Sequence, residues 1–269
     1  MIDRVHHVGV VLPSADEALR FYRDIMGLRV TADEVIEEQG VRGVLLELGE
    51  NEIELLEPVR EDTGVARFLA SRGPTLHHIC FNTPDIRGEL ARLQGQGVEL
   101  IDQAPRRGLA GEVAFIHPRS MHGVLIELAQ PPAGAHVSSA RGFDHVAARV
   151  ADLDVAAQTW RNVLGIELRA TVQARGLRIG QLHCGQCVIE LVAPDGPDSP
   201  AAQAIATEGE RAASMVAVPV ADLAAEVARY RAAGLTLPDP APGVLPGTMT
   251  ATIPAEQAFG LAIQLIAGA

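Results

Sequence analysis

The sequence predicts an α+β fold: four strand–helix–strand–strand–strand modules, forming two curved mixed β-sheets with helices outside. Three observations predict it. The two halves of the 269-residue chain repeat one another. A shorter repeat is nested inside each half. Apolar runs of strand length alternate with Gly- and Pro-marked turns and with stretches of helical period.

The first module opens on Val5-His-His-Val-Gly-Val-Val11, an apolar run of strand length. Ser14-Ala-Asp-Glu17 is a capping box, pairing a hydroxyl with a carboxylate three residues on. It predicts an amphipathic helix through Met26, stopped by Gly27. Strands are expected at about 28–36, 41–48 and 52–57, then a short helix near 64–71. The pattern then restarts. Leu76–Phe81 reads as a strand, and Thr83-Pro84-Asp85 leads into a helix ending near Gly97. Three short strands are expected at about 98–101, 112–117 and 123–129.

The second half repeats this order. His7-Val-Gly-Val-Val answers to His145-Val-Ala-Ala-Arg, Ile53-Glu-Leu-Leu to Ile189-Glu-Leu-Val, and Gly123-Val-Leu-Ile-Glu-Leu to Gly260-Leu-Ala-Ile-Gln-Leu. The offset stays near 137 residues (145 against 7, 190 against 54, 264 against 127). Such small drift means that loops changed length while elements stayed. A Pro/Gly/Ser-rich linker at 131–140 separates a first domain, residues 1–130, from a second, residues 141–269.

Bulk properties narrow the function. Net charge is −12, so a phosphate backbone would be repelled, which argues against nucleic acid. No stretch approaches the roughly 18 apolar residues of a membrane span. The N-terminus lacks a basic region followed by an apolar run, and three cysteines make no disulfide framework. A soluble, cytoplasmic protein is expected.

Four residues fall at matching places in the repeat: His7, Glu54, His78 and Glu127. Each lies on a predicted strand, one on the first and one on the last strand of each module. If two modules share one curved sheet, the four converge on its concave face. Two imidazoles and two carboxylates suit one divalent ion, with Zn, Co, Ni, Mn and Fe(II) all left open. In the second half the same places hold His145, Glu190, Met215 and Gln264. A thioether is a poor ligand for hard or borderline metals, so no metal is expected there.

The chain resembles the methylmalonyl-CoA epimerases of the vicinal-oxygen-chelate (glyoxalase-like) superfamily over roughly residues 1–130. The motifs are Val5-His-His-Val-Gly-Val-Val, Phe21-Tyr-Arg-Asp, Glu38-Gln-Gly-Val, Glu52-Ile-Glu-Leu-Leu-Glu-Pro, Val65-Ala-Arg-Phe-Leu, Leu76-His-His-Ile, Phe115-Ile-His-Pro-Arg-Ser and Gly123-Val-Leu-Ile-Glu-Leu. Residues 141–269 resemble the superfamily only, as a degenerate copy. The resemblance implies tandem vicinal-oxygen-chelate domains and one metal held by His7, Glu54, His78 and Glu127. It implies that His6 and His77 are not ligands, in agreement with strand alternation.

The implied reaction is epimerisation of a 2-substituted acyl thioester by proton removal and return. Glu127 is implied as one base. Some family members carry a second glutamate where this chain has Gly43, and Glu47 is the nearest replacement on that strand face. Arg106 and Arg107, read as a loop, and Arg119 are candidate anchors for the substrate, an acyl-CoA or related thioester. Single-length relatives pair, so the fused chain is expected as a monomer that mimics a dimer, or as a homodimer.

Two other readings stay open. Extradiol-type dioxygenases, or other lyases and isomerases of the superfamily, would use two His and one carboxylate, making Glu54 surplus. A small-molecule binding (resistance) protein would leave four intact ligand positions unexplained. Cys184-Gly-Gln-Cys187 reads as a hairpin turn and Trp160 as core.

Overall fold

A computed structural model describes residues 2–135 and 137–268; His136, inside the expected linker, lies outside the described residues. The strands are β1 (Arg4–Val11), β2 (Arg29–Ile36), β3 (Val41–Leu48), β4 (Asn51–Pro58), β5 (Thr75–Asn82), β6 (Arg106–Gly108), β7 (Gly111–Ile116) and β8 (Ile126–Gln130) in the first half. The second half supplies β9 (His145–Arg149), β10 (Leu168–Ala174), β11 (Leu177–Cys184), β12 (Cys187–Pro194), β13 (Arg211–Pro219), β14 (Ala241–Pro242), β15 (Met249–Ile253) and β16 (Ala262–Ala267). Each half forms one eight-stranded sheet, in the order β2-β3-β4-β1-β5-β8-β7-β6 and β10-β11-β12-β9-β13-β16-β15-β14. β1 runs parallel to β4 and β5 parallel to β8, whereas the hairpin neighbours are antiparallel. The expected pair of curved mixed sheets with helices outside is what the chain forms.

Helices begin where a short polar side chain can accept the orphan N–H groups of the first turn. Ser14 caps α1 (Ala15–Leu19), Thr63 caps α2 (Gly64–Arg72) and Asp85 caps α3 (Ile86–Gly95). Asp152, Ser199 and Asp222 do the same for α4 (Leu153–Leu164), α5 (Pro200–Glu208) and α6 (Leu223–Ala232).

Two expectations are corrected. The helix expected through Met26 is α-helical only to Leu19, and Arg20–Ile25 is a π-helix. Met26 N donates to Phe21 O at 2.8 Å, one residue further back than in an α-helix. The wider turn lets the adjacent Phe21 and Tyr22 both bury, at 3% and 0% exposure. The strand expected at 98–101 shrinks to one bridge, Leu100 with Ile116. The Asp102 carboxylate takes the next donor, Phe115 N, at 3.0 Å and so ends the ladder. The edge strand is instead β6, which carries Arg106 and Arg107, expected in a loop.

The chain resolves into two compact units that do not follow its sequence halves. Unit 1 joins Met1–His6, His78–His136 and His145–Ala213; unit 2 joins His7–His77, Val137–Asp144 and Ser214–Ala269. In unit 1, Phe81 packs edge-on against Trp160 and Arg92 Nη2 donates to Val163 O at 2.7 Å, at the end of α4. His122 Nδ1 lies 3.1 Å from Glu210 and its Nε2 lies 3.1 Å from Thr159. In unit 2, Tyr22 donates to Ala258 O at 2.7 Å, and Arg229 Nη1 donates to Ile25 O at 2.7 Å. Each unit thus uses a module of one half to cover a module of the other.

Candidate metal centre

Register places the four predicted residues. β1 and β4 pair with His7 opposite Glu52 and Gly9 opposite Glu54. Opposed residues share a face, as do residues two apart. His7 and Glu54 are therefore on one face of the sheet, with His7 Nε2 3.5 Å from Glu54 Oε2. β5 and β8 pair with Cys80 opposite Glu127, which puts His78, two residues before Cys80, on the Glu127 face. His78 Nε2 lies 3.2 Å from Glu127 Oε2.

All four side chains are buried, His7 and His78 at 1%, Glu127 at 5% and Glu54 at 6%. One ligand atom from each lies within 4.8 Å of the other three. Ligands about 2.0–2.2 Å from one ion are separated by at most about twice that distance, so the spread suits a single cation. The charge argument agrees. Burying two carboxylates together is costly unless a positive charge offsets them. The residues present fit a divalent ion.

Strand alternation separates neighbours less completely than expected. A ring nitrogen of His6, one of His7 and the Cys80 sulfur also lie within 4.8 Å of one another. His77 makes an edge-on ring contact with Phe68, at 4.8 Å between centroids.

The other predicted residues are scattered. Glu47 is on the ligand face, opposite Glu52, which in turn is opposite His7. Its carboxylate is bonded by the Arg29 guanidinium, its partner across β2. Gly43 is on the same face two rows away, opposite Leu56. That end is packed by Val11, Val41 and Leu56 against Val65, Phe68 and Leu69 of α2. Arg106 pairs with Val113 and so shares the face of Phe115 and Glu127. Arg107 pairs with Glu112 on the opposite face. Arg119 is bound by both oxygens of Glu99, and this bond holds the Glu99 carboxyl below its ordinary range.

Sequence reasoning missed two neighbours. Glu52 is on the ligand face and accepts from the Thr31 hydroxyl at 2.5 Å. Phe115, directly opposite Glu127, meets the His78 ring edge-on at 5.4 Å. Their i+2 relation to Glu54 and to Val113 was the available signal.

In the second half, His145 Nε2 lies 3.8 Å from Glu190 Oε2, and Gln181 donates to Glu190 at 3.2 Å. Met215 and Gln264 are half-buried on β13 and β16. Cys184 and Cys187 close a hairpin around Gly185 (φ +66°), and both are buried.

A buried His₂Glu₂ cluster that could hold a metal thus lies on a sheet of paired βαβββ modules, within a duplicated scaffold. The Glyoxalase/Bleomycin resistance protein/Dioxygenase superfamily matches twice, at residues 6–116 and 142–265, and the chain belongs to it. The first half is similar to single-length relatives. Mitochondrial methylmalonyl-CoA epimerase of Dictyostelium discoideum is 35% identical over 130 residues, which span 47% of this chain and 78% of the relative. Ethylmalonyl-CoA/methylmalonyl-CoA epimerase of Cereibacter sphaeroides is 34% identical over 134 residues, 48% of this chain and 99% of the relative. A mutant of 4-hydroxymandelate synthase from Streptomyces coelicolor matches 99% of this chain and 93% of its own, with a TM-score of 0.77 and 17% identity. At that identity the likeness is one of fold alone.

Proposed function

We propose that the chain is a metal-dependent epimerase (racemase) of methylmalonyl-CoA or a related 2-substituted acyl thioester, acting by 1,1-proton transfer. The observation that carries this is the assembly of His7, Glu54, His78 and Glu127 in the half that is similar to such epimerases. Glu54 in contact with His7 also counts against a two-His, one-carboxylate dioxygenase site.

His7, Glu54, His78 and Glu127 would hold the cation, which when bound supplies Lewis acidity toward charge developing on the thioester oxygen. Epimerisation then needs a group on each side of C2. Glu127 would take the proton from one face. Glu47, whose carboxylate is bonded by Arg29, would serve the other. Phe115 and the apolar contacts beside Gly43 would limit water at the reacting carbon. In this reading residues 1–130 carry the chemistry and residues 141–269 are metal-free. Among the described residues no helix is long and apolar enough to cross a membrane, and the proposal includes a cytoplasmic location.

The test is incubation of the Co²⁺- or Zn²⁺-restored protein with methylmalonyl-CoA in D₂O. Deuterium should appear at C2 and be lost by at least about 100-fold in Glu127→Gln. Absence of exchange in the wild type would sink the proposal. Full activity in Glu47→Gln would remove Glu47 from the mechanism.

A further inference from the structure

Three arginines were candidates for the substrate, and their surroundings separate them. Arg119 spends its fork on Glu99, and Arg107 is on the wrong face. Arg106 differs. It is on the ligand face of unit 1, at the edge strand, and its guanidinium stacks over the Phe115 ring with 5.3 Å between its central carbon and the ring centroid. Its Nε donates to Asp102 Oδ1 at 3.2 Å. Asp102 is itself pinned, because its other oxygen accepts from Phe115 N at 3.0 Å. Among the described residues, the two terminal nitrogens of Arg106 donate to no protein acceptor. The cation is thus oriented by two contacts while its bidentate end is left for something else.

Its position limits what that is. β6 is two strands from β8, about 10 Å, and the side chain folds back over Phe115, the direct neighbour of Glu127. The guanidinium therefore sits over the ring of the residue paired directly with Glu127. The phosphates of a CoA carrier are held away from the thioester by the long pantetheine arm. The anion next to the reacting carbon is the free carboxylate. Planar fork-to-carboxylate pairing is the recognition for which guanidinium is best suited.

We infer that Arg106 is the specificity residue that reads the free carboxylate of a malonyl-type thioester, with Asp102 and Phe115 as its positioning residues. The inference rests on the acyl-thioester reading above and deepens it. It makes the site selective for dicarboxylic acyl groups over simple acyl groups.

The experiment is calorimetric titration of the full chain, with and without added Co²⁺, using malonyl-CoA, malonyl-pantetheine and propionyl-CoA. Arg106→Gln should weaken both malonyl thioesters by at least about tenfold and leave propionyl-CoA unchanged. Arg107→Gln, on the opposite face, should change none of them. Malonyl-CoA and propionyl-CoA weakened equally, malonyl-pantetheine unaffected, or malonyl-CoA unaffected would each overturn the assignment. Thermal melts of both variants check that they fold. Failure of the wild type to exchange deuterium sinks the epimerase and leaves a carboxylate-selective binding site. Normal exchange with unaltered binding in Arg106→Gln sinks only the arginine's role.

Discussion

His78 and Glu127 meet because a two-residue step along β5 and β8 keeps each on the face that Cys80 and Glu127 share in register. In the proposed site, removing one donor would leave a buried carboxylate without its cation. His78→Ala should lower metal affinity by more than about 100-fold, read as metal retained after dialysis. His145→Ala, at the matching place in the second half, should leave metal content unchanged. Tyr22 makes a different point. Its ring is fully buried and its hydroxyl donates to Ala258 O. Burial pushes its pKa well above the ordinary tyrosine range. The folded state thus keeps a proton that the unfolded chain loses above about pH 10, so stability should fall as pH rises past that value. Tyr22→Phe removes that part of the slope. At neutral pH it removes one of the two donors to the Ala258 carbonyl, leaving Leu261 N, and should cost about 1 kcal/mol in chemical denaturation.

At the scale of elements, caps and close approaches set where helices and turns fall. Asp152 accepts from both Asp154 N and Val155 N, so Asp152→Ala should cost about 1 kcal/mol of stability by denaturant titration. Gly260 adopts φ +98°, and a Cβ there would lie 2.3 Å from the backbone of Pro74. Gly260→Ala should destabilise by about 2 kcal/mol or more, seen as a lowered Tm. The matching Gly123 faces the Glu210 carbonyl in the same way. The Ser14 cap and the Asp85 lead into α3 were legible in the sequence, because Ser and Asp before a helical period leave few alternatives. The π-turn at 20–25 and the edge strand β6 were not. The first arises from burying Tyr22 against Ala258, 236 residues away, and the second from Asp102 replacing a ladder carbonyl.

At the scale of the whole molecule, the duplication is used in two ways. Each sequence half builds one sheet, yet each compact unit draws on both halves. Arg92 closing the end of α4 in unit 1 and Arg229 closing the π-helix in unit 2 are the same device at repeat-related positions. A ligand or metal that binds only the folded chain raises its stability by mass action, so chelation should lower Tm. At 100 times Kd the expected difference is about 2.7 kcal/mol. His7→Ala should abolish the difference between metal-loaded and chelated protein in a thermal scan. The sequence by itself determined the module order, the four-fold repeat and the four candidate ligand residues that the fold brings together, because strand periodicity and recurring residue types are local properties. Only the tertiary structure decided which arginine shares the ligand face, that Glu47 is engaged by Arg29, and that the units cross the halves. Those depend on register and on contacts between residues far apart in the chain, which no local pattern records.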